Sequence, residues 1–313
     1  MGVRNQPFLA PKQWQAQVSY QYGYAYQFYV GDQRNDLAAS FPGFPPTRKV
    51  NIFNLDVAYG LSNRVSLDLT VPFVSGSGHA MQGTAASHRY YEFSASGIGD
   101  VSLQAEYWPS DPREASRVQG SVGLGFNAPT GSDTVTGTVF VPGQGDQVWP
   151  IDEAYQVGNG GWTMLLRAQG TALITGPLFA YASGYYGMSL TEHTEALQAG
   201  ALRGVPDTYS GRLGLAYLLP VLDGVALGFG GQINGVTVKD IVGGGDLYWR
   251  RPGYEVFVAP GLTWTFGANM ANITVPVRVY QNKLDSLLDV SLNRHIGADF
   301  VPWLFQATYA RRF

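Results

Sequence analysis

The stretch "WQAQVSYQYGYAYQFYV", residues 14–30, sets Trp14, Val18, Tyr20, Tyr22, Tyr24, Tyr26 and Phe28 on even positions. The odd positions carry Gln15, Gln17, Ser19, Gln21, Gly23, Ala25 and Gln27. Successive side chains of a strand point to opposite faces, so this is a strand with one oily face and one amide-rich face. Its length is roughly twice that of an ordinary soluble strand. Lipid outside and water inside satisfy both faces. The even-numbered tyrosines are then expected to face lipid, and Gln15, Gln17 and Gln21 a lumen.

The pattern recurs along the chain. Phe53, Leu55, Val57 and Tyr59 oppose Asn54, Asp56 and Ala58, and Val65, Leu67, Leu69, Val71 and Phe73 oppose Ser66, Asp68 and Thr70. Similar alternation marks 100–107, 118–127, 162–173, 209–219, 225–234, 253–266, 273–281 and 303–313, while 178–188 is strand-like with its faces undecided. This makes about twelve strands. Short turns ("SNR", "SDPREAS", "ITGP", "VLDG", "GANM") alternate with long connections at 31–49, 74–97, 129–161, 189–208, 235–252 and 282–300. A soluble sandwich has no reason to lengthen every second loop, and its solvent face would carry Lys and Glu rather than amides and Gly. The expected fold is all-β: a single closed antiparallel transmembrane β-barrel of about twelve strands, with short periplasmic turns and long extracellular loops. Residues 13–313 form the barrel, and 1–12 an N-terminal periplasmic segment.

Composition narrows the classes. Charged residues make up 14% of the chain and the formal net charge is −3, which argues against a nucleic-acid partner. No apolar run approaches the ~18–20 residues of a spanning helix. Cys is absent, as suits an oxidising compartment. Met1-Gly2-Val3-Arg4 leads into no apolar core, so the expectation is a mature chain exported by a cleaved signal peptide to the outer membrane of a Gram-negative bacterium. Outer-membrane lipid and lipopolysaccharide would surround it.

Several motifs carry a resemblance. "SGIGDVSLQAEYW" (96–108), "NAPTGS" (127–132), "VGNGGW" (157–162) and the hairpin "YGLSNRVSLDLTVPFV" resemble segments of the outer-membrane proteins grouped under the meta-pathway of phenol degradation. "VRNQPFLAP" is similar to the start of a related group of outer-membrane barrels. The resemblance implies a barrel that moves small aromatic or apolar solutes, and it brings no catalytic residues. The ending "LFQATYARRF" resembles the C-terminal signal read by the barrel-assembly machinery, with Phe313 last and Arg311 departing from the usual pattern.

Physical reasoning assigns roles to particular residues. The Gly-rich motifs are turn elements before they are ligand sites. Trp14, Tyr59, Tyr107, Trp108, Tyr217, Trp264 and Phe266 lie near the short-turn ends, where amphipathic rings favour the headgroup layer. Inward positions carry Asp56, Asp68, Asp100, Glu106 and Glu255 together with Arg167, Arg212 and Arg278. They form either a network of internal ion pairs that closes the barrel, or a transverse field across a constriction. In the N-terminal segment Phe8 and Leu9 gain by leaving water, and Arg4 is placed to meet the acidic wall, so the segment is a candidate plug.

Catalysis is the rival class, because lipid-modifying outer-membrane enzymes are also barrels. The chain's four histidines, His79, His88, His193 and His295, all fall in expected outer loops, none with metal-ligand spacing. No enzyme activity, metal or cofactor is therefore expected. A third reading is a scaffold whose outer loops hold a protein partner, the apolar loop 129–161 above all. Helices are expected at 191–200 and around Leu284, Leu287, Leu288 and Leu292.

Overall fold

In the computed structural model, which describes residues 8–35, 47–84, 87–111, 117–141, 143–198, 200–243 and 247–313, sequence alternation becomes alternation of burial. Along Trp14–Ala25, Gln15 and Gln17 are 4% and 3% exposed, whereas Trp14 and Val18 are 50% and 53% exposed. The same inversion runs through the molecule. Asp56, Thr70, Gln104, Glu106, Ser121 and Gln232 are buried, while Phe53, Leu69, Leu103, Leu124, Leu213 and Phe229 are exposed. A water-soluble fold sorts these residues the other way, so the exterior is built for hydrocarbon.

Fourteen strands make one sheet, and two pairs of them are halves of interrupted strands, which leaves twelve wall strands. In order they are Trp14–Ala25, Thr47–Gly60, Val65–Thr84, the pair Ser87–Ile98 and Val101–Tyr107, Val118–Ala128, Thr163–Thr175, Leu178–Ser189, Thr208–Leu218, Val225–Val236, Gly253–Phe266, the pair Asn269–Thr274 and Val277–Lys283, and Leu304–Arg312. Every neighbouring pair is antiparallel, and the last strand closes on the first from Gln15↔Arg312 to Gly23↔Leu304. Trp14 and Phe313 exchange backbone hydrogen bonds of 3.3 and 2.9 Å, so both ends of the wall meet at one mouth. Closure leaves no sheet edge to be satisfied in hydrocarbon.

The structure corrects several expectations. The opening stretch is not one strand: it leaves the wall after Ala25, and Gln27–Val30 pairs with Ala298–Phe300 and Gln33–Arg34 in a separate small sheet. Arg278 draws it away, because its guanidinium takes Gln27 Oε1 and the Tyr29 hydroxyl as acceptors and lies 4.9 Å over the Tyr29 ring. The eleventh strand breaks at Pro276, which has no N–H for the ladder. There Leu304 N donates to Pro276 O at 2.9 Å and Arg278 N to Pro302 O at 2.9 Å.

Residues 74–97 are not a loop. Val65–Thr84 and Ser87–Ile98 pair from Phe73↔Ile98 to Thr84↔Ser87, extending a hairpin beyond the wall. Its inner side meets the long connection 129–161, which folds its own hairpin, Thr136–Val141 with Gly145–Pro150. Tyr91, Phe93, Ala95, Ile151, Tyr155 and Val157 form the core between them, so much of that loop's apolar content is buried within the chain, while Val148 stays exposed. Residues 193–198 and 201–204 are a β-hairpin where a helix was expected, because Thr194 and Ala196 are buried at a period of two. The last connection does hold a helix, Leu287–Ser291, capped by Ser286 and Asp289 in a reciprocal box.

Candidate functional site

The lumen's polar groups divide by wall. On the second to fourth strands Asp56 accepts from Gln17 Nε2 (3.1 Å) and the Thr70 hydroxyl (2.6 Å), with Asp68 a further acceptor 3.2 Å from Thr70. Glu106 accepts from the Ser121 hydroxyl at 2.5 Å and from Gln104 Nε2 at 3.3 Å. Pairing aligns Glu106, Gly123 and Arg167 in one row. A Cβ on Gly123 would lie 2.1 Å from Gln104 Nε2 and 2.4 Å from Glu106 Oε2, so the glycine is what lets both side chains lie across the fifth strand toward Arg167.

Arg212, on the eighth strand, does something different. Its Nε and Nη2 donate to Gln232 Oε1, the Nε bond being 3.2 Å, and Nη2 also donates to Gln306 Oε1 at 2.7 Å. Gln306 belongs to the twelfth strand, so the pair crosses the lumen as a beam. Gln306 donates on to Gln21 at 3.1 Å and Gln232 to Asn234 at 3.1 Å, which fixes both amides with oxygen toward the guanidinium. Beside the beam lies a cavity of about 410 Å³. Phe179 and Tyr181 from the seventh strand line it, together with Asn54, Asn272 and Thr308. Tyr181 lies over Gly214 and Gly230, where a Cβ would come 2.6 and 2.7 Å from its hydroxyl. The seventh strand therefore has its aromatic face inward, which its sequence left undecided.

Arg278 and Glu255 come within 3.9 Å of each other, below the small sheet. Asp100 is a correction: it joins no cross-lumen network but accepts from the backbone N–H of Gly131 (2.9 Å) and Asn159 (2.8 Å). Thr130 adds a hydroxyl bond to Gly99 O and an acceptor for Val101 N. The three Gly-rich motifs, far apart in sequence, thus form one clasp that ties both ends of the 129–161 connection to the fourth strand.

At the mouth where the chain ends meet, Trp14 packs on Tyr59 with ring centroids 4.5 Å apart and Trp264 on Phe266 at 4.2 Å, on the outer surface with Tyr107 and Tyr217. Trp108 is the exception. It lies beyond the strand end, is 8% exposed and meets Phe8 edge-on at 6.0 Å, so it faces the N-terminal segment rather than lipid. Leu9 is 2% exposed, and Lys12 N donates to Gly60 O at 2.8 Å. Residues 8–12 therefore run beneath the second to fourth strands. Arg4 lies outside the described residues.

Away from that mouth stands a cluster of charges that sequence reading did not single out. Asp152 takes both Arg251 amino groups, at 2.7 and 2.5 Å, and Arg48 stands 3.8 Å away while bonding Asp299 at 3.0 Å. Four separate parts of the chain meet here, a coincidence invisible in one dimension. Burial works to raise the Asp152 carboxyl, but Arg251 and Arg48 outweigh it and hold the group below its ordinary value. Burial pushes the neighbouring Tyr155 hydroxyl up to about 12.

A closed wall of twelve antiparallel strands, apolar outside and polar inside, is the architecture of an outer-membrane β-barrel. Solved structures are similar to it. An outer membrane channel from Pseudomonas putida, 17% identical, superposes with a TM-score of 0.63 over 97% of this chain and 97% of that one. A Pseudomonas aeruginosa FadL homologue gives 0.49 at 9% identity over 96% and 90%. The Pseudomonas putida toluene transporter TodX gives 0.48 at 8% identity over 96% and 89%. No protein-family model matches the chain, and no curated protein matches it. Among these the likeness that carries weight is the first, and it is one of fold.

Proposed function

We propose that the protein is an outer-membrane channel for small apolar or aromatic solutes. The observation that carries this reading is the cavity of about 410 Å³ inside the wall, a volume suited to a single small molecule rather than to bulk flow. Its surface combines the rings of Phe179 and Tyr181 with amides and hydroxyls, so an apolar body has contacts and a polar tip has partners. The first similar structure being an outer membrane channel supports the reading, as do the motifs that resemble the meta-pathway proteins. No step of bond making or breaking is called for. Residues 8–12 serve as a partial plug that narrows the nearer exit.

The test is uptake in a Gram-negative host, whose lipopolysaccharide leaflet blocks apolar solutes that would cross plain vesicles unaided. Cells producing the protein should take up a monoaromatic hydrocarbon faster than cells lacking it, with disaccharide uptake unchanged. Equal hydrocarbon rates would sink the proposal. The charged cluster around Asp152 favours a second reading, a sealed scaffold. Silence in planar bilayers together with unchanged uptake would support it.

A further inference from the structure

Among the described residues Arg212 is a cation held by neutral groups alone. Its acceptors are amide oxygens, and among the described residues no carboxylate lies within ion-pairing distance. Six arginines elsewhere in the molecule stand beside an acid. Arg48, Arg203, Arg250, Arg251, Arg278 and Arg294 each have an Asp or Glu within 4 Å. Nε and Nη2 make the amide bonds of Arg212, while Nη1 makes none and the side chain borders the cavity. A guanidinium in a low-dielectric enclosure with only neutral acceptors is costly, and an entering anion relieves that cost.

We infer that Arg212 is the recognition point for a carboxylate, and that the cavity takes a small apolar or aromatic body bearing one such group. Three features converge on this. The guanidinium borders the cavity, with Nε and Nη2 fixed by Gln232 and Gln306 and Nη1 making no bond among the described residues. Charge-assisted bonds from Arg to a carboxylate are about twice as strong as neutral ones. Finally, Phe179, Leu218 and Ala226 line the same cavity and offer the apolar contact that the body of such a solute needs.

This inference rests on the channel reading and adds a charge preference to it. The experiment compares benzoate with its neutral counterpart benzyl alcohol, each titrated calorimetrically into the purified full-length protein in detergent. The wild-type protein should bind benzoate about tenfold tighter than benzyl alcohol, the scale of one charge-assisted bond. Arg212→Gln, which preserves hydrogen bonding without charge, should erase that ratio whatever it does to the affinity for benzyl alcohol. Arg212→Lys should restore part of it. Equal affinities in the wild-type protein overturn the inference even if neither variant folds, and so does a benzoate preference that survives Arg212→Gln. Hydrocarbon uptake with no benzoate preference defeats the inference alone, whereas failure of uptake defeats the channel reading beneath it.

Discussion

Gly123 and Asp100 show how single side chains organise this lumen. Introducing Gly123→Val places methyl groups where Gln104 and Glu106 lie, so the Glu106–Ser121 bond must break or the strand must shift. Both displaced groups are flexible, which limits the expected loss to roughly 1–2 kcal/mol, read as a lower urea midpoint for unfolding in micelles. Asp100→Ala removes the acceptor for two backbone N–H groups that the clasp leaves no other partner. Limited proteolysis should then cut within 129–161 several times faster, while the wall, with its own ladder, keeps its resistance. Equal digestion would mean that Thr130 alone holds the clasp.

Among the elements, the charge cluster away from the N-terminal mouth is an ionic device joining four segments. Asp152 is held below its ordinary value, so the pairing contributes fully above the unfolded value, roughly 3.9, and is lost as pH falls through the lowered one. Burial raises neighbouring Glu153, which discharges first, but the Arg251–Asp152 bonds do not depend on it. Conductance in planar bilayers should accordingly rise as pH falls below about 4, where the Asp152 carboxylate is lost. Asp152→Asn should show the raised conductance at neutral pH. At the other end, deleting residues 2–10 removes Phe8 from Trp108 and Leu9 from its buried site. Current through an intact barrel should increase, and an unchanged current would remove the plug.

For the whole molecule, the decisive property is that lipid replaces a hydrophobic core as the surroundings of the apolar faces. A one-residue slip of the first strand would bring Gln17 and Gln21 into hydrocarbon, so its register is strongly determined. Cysteine introduced at position 21 should react with a water-soluble reagent, and cysteine at position 22 should not. Reaction at 22 alone would invert the assignment of faces.

Alternation established the strands and, for all but the seventh, their two faces, because period-two patterning is a local property that each strand displays by itself; the alternation of short and long connections added the closed barrel of about twelve. It also placed Asp56, Asp68, Glu106, Arg167 and Arg212 on inward faces. What each of them touches was decided by closure. One partner of Arg212 lies 94 positions along the chain at Gln306, and Asp100 meets Asn159 rather than an arginine. The break in the wall at Tyr26 likewise answers to a tertiary demand, from Arg278, that no local pattern encodes, whereas the break at Pro276 has a local cause in the proline itself. The long connections were least legible, since their hairpins pack on one another and not on lipid, and a rule drawn from the membrane does not reach them.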